Sequence, residues 1–356
     1  MIAALAASGN ILPSVEFVED QIQPASLDLR LGDMAYRVRA SFLPGPTSSV
    51  ARRIDDLKLH EVSLTDGAVL EAGCVYIAPI LEALALPIDI SAAANPKSST
   101  GRLDVFTRVI ADGMRQFDRV EGGYRGPLYA EISSRTFPIL VREGSRLSQI
   151  RFRRGKSCLD AEALRALQAL EQIVNDPEAD VGEGIALSVD LSGFGADRLV
   201  GYRAKRHTGL IDIDRRSAYE AADFWEPMYA RADNSIILDP DEFYILASKE
   251  AVQVPSNYAA EMVPFDPLVG EFRVHYAGFF DPGFGHFSAG GRGSRAVLEV
   301  RSREVPFILE HGQIIGWLLF ENMLSRPSRL YGQDLNSNYQ AQNLKLSKHF
   351  TGGLIR

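Results

Sequence analysis

Tyr129-Ala130-Glu131-Ile132 returns as Val297-Leu298-Glu299-Val300, 168 residues further along the chain. The same offset joins other anchors. PILVREG, ending at Gly144, matches PFILEHG, ending at Gly312, and each leads into an apolar run, Leu147–Phe152 and Ile315–Phe320. Upstream, VLEAGCVYIAP matches ILDPDEFYILA, and Pro87 matches Pro255. Near the start of each half, Ala25-Ser26-Leu27-Asp28-Leu29 resembles Leu187-Ser188-Val189-Asp190-Leu191 at a slightly shorter offset, which implies a small gap. Several anchors at one spacing point to an ancient duplication rather than chance likeness between strand-rich segments.

The repeated pieces are short and strand-like. SLDLRLG, VYIAPI, LYAEIS, FYILAS, AVLEVRS and IIGWLLF are bounded by Gly, Pro and Asp, and Leu27, Leu29 and Leu31 alternate with Asp28 and Arg30. This predicts a mainly β protein with a barrel or sandwich in each half. The main helix is expected over Leu159 to Val174. Its apolar stripe would be Leu164, Leu167, Leu170 and Val174, and Asn175-Asp176-Pro177-Glu178 would stop it. It reads as a connector, giving a first domain over 1–156, a helical linker over 157–178 and a second domain over 179–356. A second helical piece is expected near Ser217 to Tyr229.

A chain of 356 residues with 46% hydrophobic and 24% charged residues is long enough for two packed domains, and neither disordered nor fibrous. The formal charge of −8 argues against nonspecific nucleic-acid binding, though a few local cations could hold a small phosphorylated ligand. No apolar run reaches the ~20 residues that span a bilayer, so no membrane partner is expected. The apolar start lacks a basic region, and two cysteines make no disulfide framework, so a cytoplasmic protein is expected. The sequence has no C-x-x-C and no HExxH, so zinc chemistry of those types is excluded.

Three segments could carry chemistry. Lys97-Ser98-Ser99-Thr100-Gly101-Arg102 concentrates cations and hydroxyls, as a phosphate or base-edge loop would, or as an ordinary polar turn would. Phe280-Asp281-Pro282-Gly283-Phe284-Gly285 is a strong turn signal whatever its function. Glu299 stands alone in an apolar strand. If buried it could serve as a general acid or base; on the outer face it would simply be solvated.

Together these segments resemble the dCTP deaminase family of the dUTPase-like superfamily. The likeness rests on PASLDLRLG and KSSTGR in the first half, and on HYAGFFDPGFG, AVLEV and the tail YGQDLNSNYQAQ in the second. Family chains usually carry all these motifs once, so this sequence is similar to a tandem form. The resemblance implies two dUTPase-like distorted β-barrels of jelly-roll (β-clip) type with a short connecting helix. It also implies that the halves have decayed in complementary ways. The first keeps Lys97, Ser98, Ser99 and Arg102, whose counterparts in the second include Asp266 and Gly270. The second keeps Asp281-Pro282-Gly283 and the tail, whereas the first has Gly113, Met114 and Arg115. One complete site would take its Ser/Arg loop from a first half and the rest from a second.

The implied reaction is zinc-independent hydrolysis of dCTP to dUTP and ammonia. Glu299 would move the proton, with Ser98 and Arg102 as catalytic partners. Ala277, Gly278 and Val297 would read the pyrimidine edge, and Asp281 would hold the deoxyribose. Lys97, Tyr331, Asn338, Tyr339 and Gln342 would meet the triphosphate, with Mg²⁺ bound through the phosphates. The family commonly has Lys where this chain has Asn338; Lys345 and Lys348 could compensate. Glu131 reads as vestigial or structural. dCTP and dUTP are the implied partners, dTTP a possible inhibitor, and a homodimer the favoured assembly. Two alternatives stay open: a dUTP diphosphatase or bifunctional enzyme, and a nucleotide-binding regulator without turnover.

Overall fold

In the computed structural model the described residues are 1–176, 179–264, 272–274, 278–302, 304–332, 339–340, 342–352; of 264 and 272–274 the backbone alone is described. The chain forms two compact units, Met1–Lys156 with Gly209–Arg216, and Ser157–Thr208 with Ser217–Arg356. Both are built mainly of β-sheet.

The first unit has a five-stranded sheet in the order Lys58–Ser63, Met34–Val38, Val75–Pro79, Leu128–Ser134, Val105–Ala111. A four-stranded sheet runs Arg119–Val120, Ile90–Pro96, Ser148–Arg154, Leu27–Leu29. The second unit repeats both plans. Its five strands run Trp225–Tyr229, Leu199–Ala204, Phe243–Val252, Ser294–Ser302, Phe272–Val274, and its four run Ile185–Ser188, Ile314–Asn322, Tyr258–Pro264, Phe279–Phe280.

Register carries the duplication further than the sequence does. Glu131 lies opposite Ile77, and Glu299 opposite Ile245. Ile139 pairs with Leu70 as Phe307 pairs with Leu238, and Ser148 pairs with Pro96 as Gly316 pairs with Pro264. In every case both partners move by 168. The first strand of each half corrects the sequence alignment. Leu29 pairs with Ser148 and Leu187 with Gly316, so Leu187 is the counterpart of Leu29, at an offset of 158 (187 against 29). The sequence had aligned Leu191 there, four residues further on. A four-residue slip keeps the same side chains facing inward, so alternation cannot detect it. A buried carboxylate settles the match: Glu82 accepts from the Arg30 backbone N–H at 2.9 Å, and Glu250 from the Ser188 N–H at 2.7 Å.

The helix near the junction spans Ala161–Glu171, with the Asp160 carboxylate accepting from Ala163 N–H at 2.9 Å. Leu164 and Leu167 enter the core of the second unit, so this segment is built into that unit. Leu170 is 81% exposed, contrary to the expected stripe. Successive three-residue steps drift about 60° around a helix of 3.6 residues per turn, which carries Leu170 off the face. Ile173 and Val174 are buried beyond the helix end. The helix expected over 217–229 is a single turn, Ala221–Phe224, running into the strand Trp225–Tyr229. Among the described residues the helices Ile2–Ala7 and Val50–Leu57 have no counterpart in the sequence reading.

Candidate active site

In the second unit the strand Ser294–Ser302 is buried almost throughout. Ala296, Leu298 and Val300 belong to the hydrophobic core. Side chains alternate along a strand, so Val297, Glu299 and Arg301 share the opposite face. Glu299 is 4% exposed there, which excludes the solvated-face reading of this carboxylate. Val297 is 6% exposed on the same face, one pleat away.

The Asp281-Pro282-Gly283 turn is tightly held. Gly283 N–H donates to the Val254 carbonyl at 2.9 Å, and Val254 N–H to that of Phe284 at 2.8 Å. Asp281 is buried, and its carbonyl accepts from Phe284 N–H at 3.0 Å. Gly283 has a φ of +98°, and a Cβ there would sit 2.8 Å from the Tyr331 carbonyl oxygen. Glycine is therefore required twice over, by the backbone and by the tail packed against it. Upstream, the Gly278 carbonyl accepts from Met262 N–H at 2.9 Å, which joins this segment to the strand Tyr258–Pro264.

The tail touches both the turn and the glutamate strand. Tyr331 N–H donates to the Pro282 carbonyl at 2.9 Å, and its ring lies 5.8 Å from that of Phe284. Gln342 forms a two-bond contact with Arg295 at the start of the Glu299 strand: Arg295 N–H donates to its carbonyl at 3.0 Å, and its side-chain amide donates back at 3.1 Å. Tyr339 is buried, its hydroxyl accepts from Lys348 N–H at 3.1 Å, and the Lys345 ammonium lies 5.7 Å from its ring centroid. Ala277 and Asn338 lie outside the described residues, as does the 265–270 counterpart of the Ser/Arg loop.

In the first unit that loop is one helical turn, Ser98–Gly101, between Lys97 and Arg102. Ser98 is exposed and Arg102 is 2% exposed. Lys97 forms an ion pair with Asp28, a buried carboxylate that also meets Arg146 at 3.4 Å. PASLDLRLG thus supplies the counter-charge of the KSSTGR loop, a link the sequence does not display.

The equivalent of Glu299 in this unit is closed off. Glu131 pairs across the sheet with Arg108, whose Nε donates to its Oε1 at 3.0 Å. The guanidinium lies 3.4 Å from the centroid of Phe117 and 4.6 Å from that of Phe106. A cation with two aromatic faces beside it stands against the carboxylate. Asp112, which a one-residue slip aligns with Asp281, accepts from Val50 N–H at 2.7 Å at the start of the helix Val50–Leu57. Both groups are occupied in structural work.

The fold and these groups define a tandem-repeat β protein with a buried carboxylate, a glycine-dependent turn and a folded tail in its second unit. Comparison with known proteins agrees over both halves. Residues 1–156 match the model of the 2'-deoxycytidine 5'-triphosphate deaminase (DCD) N-terminal domain, and residues 160–350 that of the C-terminal domain. A dCTP deaminase of Halorubrum lacusprofundi is 30% identical over 156 residues, 43% of this chain and 73% of that protein. A dUMP-forming dCTP deaminase of Dictyoglomus thermophilum is 26% identical over 145 residues, 40% of this chain and 71% of that protein. The crystal structure of 2'-deoxycytidine 5'-triphosphate deaminase from Agrobacterium tumefaciens is 62% identical, with a TM-score of 0.88 over 91% of this chain and 97% of that one. The chain belongs to the dCTP deaminase family of the dUTPase-like superfamily. Among the described residues no three His, Cys, Asp or Glu side chains gather as a metal cage, and no helix is long and apolar enough to cross a membrane.

Proposed function

We propose that the chain hydrolyses dCTP to dUTP and ammonia at a site whose carboxylate is Glu299. The observation that carries this assignment is the burial of Glu299, 4% exposed on the strand face opposite the hydrophobic core. Its repeat counterpart Glu131 is ion-paired with Arg108, and the residue 168 beyond Arg108 is Tyr276.

The chemistry follows from the groups. A water oxygen attacks C4 of the pyrimidine as Glu299 takes one of its protons and passes it to N3. Glu299 then takes the remaining proton from the new C4 hydroxyl and passes it to the amino group, so that C4=O forms as the C4–N4 bond breaks and ammonia leaves. General acid–base catalysis of this kind contributes about 10²–10⁴-fold. Ser98 orients the water or the leaving amine, and Arg102 supplies a permanent positive charge near the carboxylate. Backbone groups of Ala277, Gly278 and Val297 read the pyrimidine edge. Asp281 binds the sugar hydroxyl. Lys97, Tyr331, Asn338, Tyr339 and Gln342 bind the triphosphate, which arrives as its Mg²⁺ complex. Lys97 is ion-paired with Asp28, so it reaches a phosphate by leaving that partner.

The site takes its Ser/Arg loop from a first half and its glutamate, turn and tail from a second. The sequence supports this, because Asp266 and Gly270 stand where the second half would need serine and arginine. Each half is a distorted barrel of jelly-roll type, two chains pair as a homodimer, and dTTP competes for the site. Relatives that match include proteins named dCTP deaminase and others named dUMP-forming dCTP deaminase, so the assay must separate products. Chelator-treated protein incubated with dCTP, with and without added Mg²⁺, is expected to release one ammonia per dUTP and no pyrophosphate. Pyrophosphate in step with ammonia would establish the dUMP-forming reading. Nucleotide binding without ammonia would leave a regulator.

A further inference from the structure

We infer that Gln340 is a positioning residue that fastens the returning tail to the Asp281 turn, and that nucleotide binding depends on this link. The inference rests on the deaminase reading only for the identity of the nucleotide. Gln340 lies within the tail motif YGQDLNSNYQAQ but is not among the tail residues to which the resemblance assigns a role.

Its side chain makes three hydrogen bonds to one short stretch of backbone. Its Oε1 accepts from Gly285 N–H at 3.0 Å. Its Nε2 donates to the Gly283 carbonyl at 3.1 Å and to the Ala289 carbonyl at 3.2 Å. One amide thus satisfies a donor and two acceptors of the turn, which neither a carboxylate nor an ammonium could do. The fit is close on the tail side as well: a Cβ at Gly332 would lie 2.8 Å from the Gln340 amide nitrogen.

The turn is a place where such a link matters. Its inner end carries Asp281, its Gly283 is already packed against Tyr331, and Gly293 N–H donates to the Gly285 carbonyl at 2.8 Å just before the Glu299 strand begins. The turn is therefore held by two separate described residues of the tail, Tyr331 and Gln340. Two residues later Gln342 joins the Glu299 strand through Arg295. A turn braced by two side contacts has less freedom to lose when a ligand arrives, so presenting Asp281 costs less to order. Cutting one anchor weakens binding of substrate and transition state alike, which raises KM and spares kcat.

The test compares wild type with Gln340→Ala and Gln340→Met, the second keeping the bulk. Three quantities are read: hydrogen exchange at the Gly285 amide, the kinetics of ammonia release from Mg·dCTP, and the thermal midpoint. Both variants are expected to lose at least about tenfold of the Gly285 protection and to raise KM about 10-fold, with kcat within about threefold. The midpoint should stay within about 2 °C. Unchanged KM would overturn the inference. So would unchanged Gly285 exchange, or a joint fall of midpoint, kcat and affinity, which marks a structural role. If the wild type releases no ammonia, the deaminase reading falls instead, and exchange at Gly285 still decides whether Gln340 holds the turn.

Discussion

Replacing Glu131 by Gln removes the charge that Arg108 faces and keeps the shape. The pair is nearly enclosed: the side chains are 2% and 22% exposed for Glu131 and Arg108. A charge-assisted hydrogen bond contributes about 1.5–3 kcal/mol, and a neutral one about 1 kcal/mol. Breaking a fully buried pair costs about 3–5 kcal/mol, because the surviving charge has no partner. Arg108 retains some solvent and its contacts with Phe117 and Phe106, so the loss falls below that limit. We expect about 2–3 kcal/mol. For a unit of this size that lowers the melting transition by about 4–10 °C. Calorimetry resolves it, since two units need not melt together. Ammonia release at 25 °C should stay within about twofold of wild type. A variant that melts like wild type but loses most of its turnover would refute the division between a structural and a catalytic glutamate.

Other perturbations follow from the same geometry. Ser98→Ala and Arg102→Ala should each abolish turnover, although they lie in the other half of the sequence. Mixing Glu299→Gln chains with Ser98→Ala chains shows whether a site crosses between chains: recovered ammonia release means that it does. Gly283→Ala forces a side chain into a φ of +98° and against Tyr331, so KM for dCTP should rise at least about 10-fold with a stability loss of about 1–3 kcal/mol. Burial pushes the Asp118 carboxyl up from 3.8 to about 7, against the Val109 N–H and the nearby Arg108 and Arg119. The folded state then holds its proton longer than the unfolded chain, so its contribution to stability is full below about pH 4 and lost as pH rises through about 7. Asp118→Asn should therefore melt higher relative to wild type at pH 8 than at pH 4.5; an equal difference at both values would reject this.

The duplication and its strands were legible because 168-residue anchors survive in PILVREG and PFILEHG and around the two glutamates. Glu299 stood out as a charge in an apolar strand, but its burial needed the fold. The first strand of the second half was misaligned by four residues because an even slip leaves the pleat unchanged. Leu170 was misplaced because a run of three-residue spacings looks like one face and is not. Arg108 was invisible as the partner of Glu131, since they lie 23 residues apart and meet only across the sheet. The signal that could have found it is the second half itself, where the residue 168 further on is Tyr276 rather than arginine. Gln340 was missed for a related reason. Its role is set by backbone groups at 283–289, and backbone leaves no trace in residue type apart from the glycines.

The proposed reaction stands on Glu299 as the group that takes the proton from water. Glu299→Gln keeps the shape and a hydrogen-bonding end but cannot accept that proton. Ammonia release from Mg·dCTP should fall by at least about 10²-fold, with dCTP affinity within about threefold of wild type and an unchanged melting transition. Retained ammonia release by this variant, or an equal loss in folded Glu131→Gln, would contradict the single live carboxylate proposed here.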